Sequence, residues 1–346
     1  MSSDSALAQL TLQRVREFAR EPEAVFWTFF FPVLIAVALG IAFRGSGEAP
    51  VQVAVVDGPG GAALADMLRE SGHAEVQLLA ERDAADALRR GDVAITLEAA
   101  ADGSITYRYD RTREDARHAR LVVDDVLQRA AGRTDPRAVT DVLITEKGSR
   151  YIDFLIPGLI GLNLLSTGLW GVGYTVVKMR MDRLLKRFAT TPVRRSDFLL
   201  SFMLGRLGFL GFELLLVLGF AWIAFRVPVR GSILTLAFTA TLGAFSFTGL
   251  GLLVASRAQT TEAVQGWMNL VSVPMWVLSG VFFSASNFPD AMQPFIQALP
   301  LTALNNALRA IMLDGASFVG VGGWNAIVAA WGLVCFVTAV RIFRWK

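Results

Sequence analysis

Residues 24–43 read AVFWTFFFPVLIAVALGIAF, and the run stops abruptly at Arg44-Gly-Ser-Gly-Glu48. About 20 consecutive apolar residues in a helix match the thickness of a bilayer's hydrocarbon core. The stretch therefore predicts a first transmembrane span. Pro32 lies inside it, where a neighbouring helix can satisfy the carbonyl that proline leaves without a donor. Arg14, Arg16 and Arg20 precede the span closely, which predicts a cytoplasmic N-terminus and an outer location for residues 44–150. The polar first 20 residues carry no small-residue cleavage site, so the span reads as an uncleaved signal anchor. Residues 5–20 put Leu12, Val15 and Ala19 on one stripe. That stripe fits a short helix on the membrane surface, and a merely polar leader fits as well.

The apolar blocks recur along the chain. Spans are predicted near 151–177, 198–225, 232–255, 264–283 (with Pro274 and Gly280) and 324–340. Between the last two, residues 288–299 and 301–313 are too short to cross and predict a re-entrant or interfacial hairpin. Composition agrees: 53% of residues are hydrophobic, only 18% are charged, and the mean hydropathy is +0.47. The formal charge of +3 conceals a division. Residues 44–150 hold fifteen basic and nineteen acidic residues, whereas the remainder holds eighteen and eleven. The excess cations lie where they would orient helices, so no nucleic-acid partner is expected. The most basic loop, 178–197, falls on the cytoplasmic side of a six-span chain, as does the C-terminal tail.

Residues 44–150 break the apolar pattern and predict a soluble α/β domain. Val51–Val56 is a buried-type strand ending in the turn Asp57-Gly-Pro-Gly-Gly61. A helix over 62–71, a strand over Val76–Leu79 and a helix over 82–90 closed by Gly91 come next. Strands over Val93–Leu97 and Ile105–Tyr109 flank a turn at Asp102-Gly103, and a helix runs from about Glu114 to Ala131. The glycine-rich turn lacks the order of a phosphate loop. Cys335 is the single cysteine, and His73 and His118 are the only histidines, so neither a disulfide within the chain nor a zinc site is expected. The chain thus divides into 1–43 (surface helix and first span), 44–150 (extracytoplasmic domain) and 151–346 (five further spans). The last part includes the loop 178–197 and the re-entrant segment 284–313. The fold class is an α-helical membrane protein of six transmembrane helices plus a re-entrant hairpin, with a small α/β domain inserted between helices one and two.

No catalytic constellation is present, so the chain is not expected to be an enzyme. In the basic loop, Met181, Leu184, Leu185 and Phe188 fall at i, i+3, i+4 and i+7, one helical face, and Pro192 ends the segment. That face fits either lipid headgroups or the groove of a cytoplasmic partner. Glu213 sits mid-span, where a charge costs about 2.5–3.5 kcal/mol on insertion scales and usually faces protein or water. It is a candidate for the translocation path or for a structural carboxyl, with Arg206 seven residues earlier supplying field without direct contact. Asn163 and Asn269 are weaker path candidates, since intramembrane Asn more often joins helices. Gly158, Gly161, Gly168, Gly171 and Gly173 allow close approach, predicting that span two faces a partner span.

Several motifs in order then carry a resemblance. They are R-E-F-x-R-x-P at Arg16–Pro22, Phe31-Pro32, Tyr151-Ile-Asp153-Phe-Leu-Ile-Pro157-Gly158, Thr191-Pro192, Asn287-Phe-Pro289, Pro300-Leu-Thr302 and Arg309. In order and spacing the chain resembles a permease subunit of the ABC-2 type of ATP-binding-cassette exporters, in the branch with a large extracytoplasmic domain after the first helix. The resemblance implies a pair of permeases, a second copy or a paralogue, each docking a separate cytoplasmic ATPase subunit through the loop helix. ATP and Mg would be used by that subunit, with no cofactor bound by this chain. It implies a bacterial inner membrane, export of an amphiphilic or hydrophobic substrate, and a periplasmic or extracellular adaptor as a candidate partner. Where the family's loop commonly reads E-x-G-T-L-E-x-L, this chain has Lys178-Met-Arg180-Met-Asp-Arg-Leu184, which predicts an acidic groove opposite Arg180 or Arg183. The alternatives are a polysaccharide or glycolipid exporter, and a membrane scaffold or receptor that binds a partner through the outer domain.

Overall fold

The computed structural model describes residues 3–42, 50–100, 103–134, 150–190 and 194–343. The chain divides into two compact units, residues 44–143 and the remainder.

Helix α1 (Ser3–Ala19) leads to α2 (residues 22–42), whose middle, Phe26–Phe30, is wound as a π-helix. Beyond Val25 the helix is almost wholly apolar, and Pro22 starts it where a missing N–H costs nothing.

The inserted unit comprises β1 (Val51–Val56), α3 (Gly61–Glu70), β2 (Ala74–Leu79), α4 (Glu81–Arg90), β3 (Ile95–Ala99), β4 (Ile105–Arg108) and α5 (Glu114–Ala130). The order across the sheet is β2-β1-β3-β4, parallel except for the β3–β4 hairpin. Central β1 is buried on both faces, which is why it reads as an almost unbroken apolar run. Val53 and Val55 face Leu64, Leu68 and Val123 of α3 and α5, while Ala54 and Val56 face Ala84 and Ala87 of α4. Gly60 caps α3 with a left-handed φ of +83°, a conformation glycine adopts without steric cost. The strand expected over 93–97 begins two residues later, at Ile95, although the Ala94 N–H already donates to the Gln52 carbonyl of β1 at 2.9 Å.

The remaining unit continues as α6 (Tyr151–Met181), α7 (Leu184–Ala189), α8 (Arg195–Phe225), α9 (Ile233–Ala255), α10 (Thr261–Leu278), α11 (Gln293–Ala298), α12 (Pro300–Met312) and α13 (Gly322–Ile342). Residues 167–172 of α6 form a second π-helical segment. Among the described residues, four helices are long and apolar enough to cross a membrane: α6, α8, α9 and α13. A shorter apolar helix covers Phe26–Ile41. The chain is a helical membrane protein with a small sheet.

Helix α6 is the centre of its unit: 78% of its most apolar window is buried inside the protein, against 28% for α8. Its glycines explain how. A Cβ at Gly168 would stand 2.8 Å from the Phe247 backbone of α9, and one at Gly158 would stand 2.6 Å from the Val281 carbonyl. Small residues thus let α6 meet neighbours of its own chain, while a Cβ at Gly171 would meet no atom of the described residues within 4 Å. The span expected to continue to 283 ends at Leu278, since Gly280 adopts φ +69° and turns the chain away. Helix α12 is buried along most of its length against α6, α9 and α13.

Candidate functional site

Pro32 has no N–H, so the carbonyl of Thr28, four residues earlier, lacks its usual helical donor. Asn163 supplies one: its Nδ2 donates to the Thr28 carbonyl at 2.9 Å and also to Glu213 Oε1 at 2.5 Å. The other carboxylate oxygen, Oε2, is paired with Arg206, whose Nη2 also donates to Thr167 Oγ1 at 2.6 Å. Thr167 in turn donates to the Asn163 carbonyl at 2.8 Å, at the start of the second π segment. One polar cluster therefore joins α2, α6 and α8, with Glu213 3% exposed and Arg206 7% exposed.

Arg206 and Glu213 lie two turns apart, about 10.5 Å of rise. Their extended side chains close that gap and form a direct ion pair, where the sequence pattern suggested only a field effect. Asn163 belongs to the same cluster. Asn269 does not: it lies on the exposed face of α10 beside Leu270.

The segment after α6 departs from the expected single helix. Helix α6 ends at Met181, and Arg183 takes a left-handed φ of +58° before α7 starts at Leu184. The break takes Met181, which is 50% exposed, off the helical face shared by Leu184 and Leu185. Leu185 is fully buried and Leu184 packs at the edge of the same core. Phe188 falls in α7 and is described by its backbone alone, while Pro192 lies outside the described residues. Arg180 is half-buried and engaged within its own chain. Its guanidinium donates to the carbonyls of Ala255 (2.8 Å), Ser256 (3.1 Å) and Ala258, at the C-terminal end of α9. Helix ends leave carbonyls without intrahelical donors, and a cation satisfies both their hydrogen bonds and the helix dipole.

The motif opening α6 is a latch. Arg150 grips Asp153 through Nη2 (2.8 Å) and Nε (2.9 Å) and also donates to the Phe225 carbonyl at 2.9 Å. The Tyr151 hydroxyl donates to the Phe282 carbonyl at 3.0 Å. Arg309 of α12 stacks 3.7 Å over Phe154 and donates to the carbonyls of Phe154 and Gly280.

Sequence reasoning missed Arg14. On α1, Leu10 and Arg14 are buried and Phe18 half-buried at four-residue spacing, whereas of the expected stripe Leu12 and Ala19 are exposed and Val15 is half-buried. Arg14 lies 4.2 Å over the Phe202 ring and pairs with Glu17 at 2.8 Å. The available signal was Gly205 on α8, whose missing side chain makes room for Arg14. Between α1, α2, α6 and α8 lies a cavity of about 420 Å³, lined by Arg14, Arg206, Trp27, Trp170 and Thr167 among others. A second of about 400 Å³ shares Trp27, Asn163, Ser166 and Trp170 with it and continues along Phe31, Pro32 and Leu159. Among the described residues no cluster of three or more His, Cys, Asp or Glu side chains could hold a metal ion.

A bundle built around the glycine-lined α6, with four helices long and apolar enough to cross a membrane, defines a multi-pass membrane protein. The chain matches the ABC-2 family transporter protein over residues 23–341, and it belongs to that family. It is 30% identical over 214 residues to ABC transporter G family member 20 of Dictyostelium discoideum, covering 61% of this chain and 29% of that protein. It is 26% identical to Nodulation protein J of Rhizobium meliloti (strain 1021), covering 57% of this chain and 75% of that one. Identity to the Linearmycin resistance permease protein LnrN of Bacillus subtilis (strain 168) is 24%, over 50% of this chain and 45% of that one. The chain thus spans less than a third of the slime-mould relative and under half of the Bacillus one.

Proposed function

We propose that this chain is the permease subunit of an ATP-driven exporter that moves an amphiphilic or hydrophobic substrate outward. The observation that carries the reading is the family match across residues 23–341, nearly the whole chain. Permeases named for drug resistance and nodulation among its relatives support export as the direction. In this reading six spans place both termini in the cytoplasm of a bacterial inner membrane, with α2 and α10 crossing beside the four longer helices. The inserted α/β unit then lies outside, available to an adaptor. The permease pairs with a second copy or a paralogue.

Hydrolysis belongs to separate ATPase subunits, which use ATP and Mg, and this chain binds no cofactor. The exposed Met181 and Lys186 belong to the docking surface, with Leu184 and Leu185 anchoring α7 to the bundle. Glu213 and Asn163 act on the path as one unit that holds α2, α6 and α8 in register, and Asn269 marks the α10 side. Co-purification with an ATPase subunit tests the reading. A Met181→Asp permease that folds but loses the ATPase supports the docking surface, and undiminished capture would count against it. Export that survives Glu213→Gln unchanged removes Glu213 from the path.

A further inference from the structure

The cavity of about 420 Å³ beside α1 receives an aromatic ring from each of the four helices around it. Phe18 comes from α1, Trp27 from α2, Trp170 and Tyr174 from α6, and Phe209 from α8. None of these rings is sealed in the core. Trp27 is 58% exposed and Tyr174 39%, and the other three are half-buried. Phe18 and Phe209 meet with centroids 4.4 Å apart, so α1 and α8 present their rings together. Gly171 lines the same space and leaves it open, since a Cβ there would meet no atom of the described residues within 4 Å. It sits in the π-helical segment Thr167–Val172, and such segments are frequent at functional sites. The volume suits a small organic molecule.

The charges around this space do not cancel. Arg14 pairs with Glu17, and Arg206 pairs with Glu213. Both guanidiniums are less than a tenth exposed and committed to those carboxylates. Glu21 also lines the cavity, is exposed, and pairs with no cation among the described residues. Two cations against three carboxylates leave a surplus of one negative charge. The face of an aromatic ring also attracts cations, and Arg14 already lies 4.2 Å over Phe202 of this lining. Rings and surplus carboxylate therefore select a guest of the same sign. We infer that the cavity is a binding site for a hydrophobic organic cation, such as a quaternary phosphonium or ammonium whose charge is wrapped in apolar groups. The rings hold the apolar body, and Glu21 together with the ring faces balances the charge. The inference names a substrate class and, in that respect, rests on the export reading.

Equilibrium dialysis of the purified full-length permease, in neutral detergent with protein-free micelles as the blank, tests the site without ATP or an ATPase subunit. A phosphonium that binds but is not exported would defeat the export reading and leave the site standing. The probes are tetraphenylphosphonium and tetraphenylborate, ions of the same shape and opposite charge. The phosphonium should bind saturably and about tenfold or more tightly than the borate. Gly171→Val should weaken phosphonium binding by about tenfold or more by filling the cavity. Its thermal unfolding should match the parent, because the added Cβ enters open space. Trp27→Leu should weaken binding by about threefold through the lost ring face. Glu21→Gln should narrow the preference for the cation by about threefold, the scale of one exposed charge. Borate binding as tightly as phosphonium overturns the inference. So does unchanged phosphonium affinity in Gly171→Val, which would put the bound ion elsewhere, or an unchanged cation preference in Glu21→Gln.

Discussion

The two units of this chain use charge in opposite ways. In the α/β insert, ion pairs such as Arg69–Asp66 and Arg89–Asp86 join neighbours one helical turn apart with both partners largely in water. In the bundle, Arg206–Glu213 bridges two turns and is almost wholly withdrawn from solvent. Exposed pairs contribute little because water screens them and ordering two long side chains costs entropy. A buried pair contributes little net stability either, but removing one member leaves a charge with no compensation. Charge thus stays on the surface of the insert, whereas in the bundle it fixes which helices meet.

That contrast breaks most visibly at Arg206. Arg206→Met should destabilise the bundle by about 3–5 kcal/mol, because Glu213 keeps only Asn163. Adding Glu213→Leu should restore most of the loss, since an apolar replacement of both partners is often neutral. Thermal unfolding in detergent checks both; a double variant as unstable as the single one would show that the pair is not the cause. Arg180→Met comes next. It removes a guanidinium shared by three carbonyls at the end of α9 and should cost about 1.5–3 kcal/mol. Hydrogen exchange should rise around Ala255 and its neighbours and stay unchanged in the insert. Arg89→Ala, by contrast, should leave stability within about 0.5 kcal/mol of the parent chain.

The insert was legible almost residue by residue. Strand and helix periods alternate there, and Gly60, Gly91 and the turn after Val56 punctuate them. The apolar lengths of α6, α8 and α9 were equally clear. What escaped depends on side-chain reach and on tertiary context. A two-turn contact between Arg206 and Glu213 is invisible to neighbour rules that pair residues three or four apart. Arg14 was assigned to the polar face because a cation is seldom core, yet the Phe202 ring and Gly205 give it a place. No proline or glycine marks the break at Asp182–Arg183, so an unbroken apolar spacing suggested one helix there. Asn163 and Glu213 were singled out separately by their depth, but only the fold shows that Pro32 and Thr28 draw them together.

The smallest effect sharpens the comparison from the insert's side, where charge meets a half-buried ring. The Tyr107 hydroxyl donates to Asp124 Oδ1 at 3.1 Å, and Arg120 lies 3.7 Å from the ring centroid while pairing with the same carboxylate at 3.0 Å. Burial first, and then the hydrogen bond to Asp124, push the Tyr107 phenol up to about 12, with Arg120 opposing. An unfolded tyrosine ionises near about 10. The folded state therefore holds its proton at a pH where the unfolded chain has lost it. Its share of stability is complete below pH of about 10 and falls away as pH climbs through about 12. Tyr107→Phe cannot ionise and should unfold with a flatter pH dependence in that alkaline window, while matching the parent near neutrality apart from a small loss of the hydrogen bond. Alkaline melts of the two full-length proteins check it. Parallel curves would mean that Tyr107 is as solvated as the insert's exposed arginines, and that this unit carries no charge-coupled core contact at all.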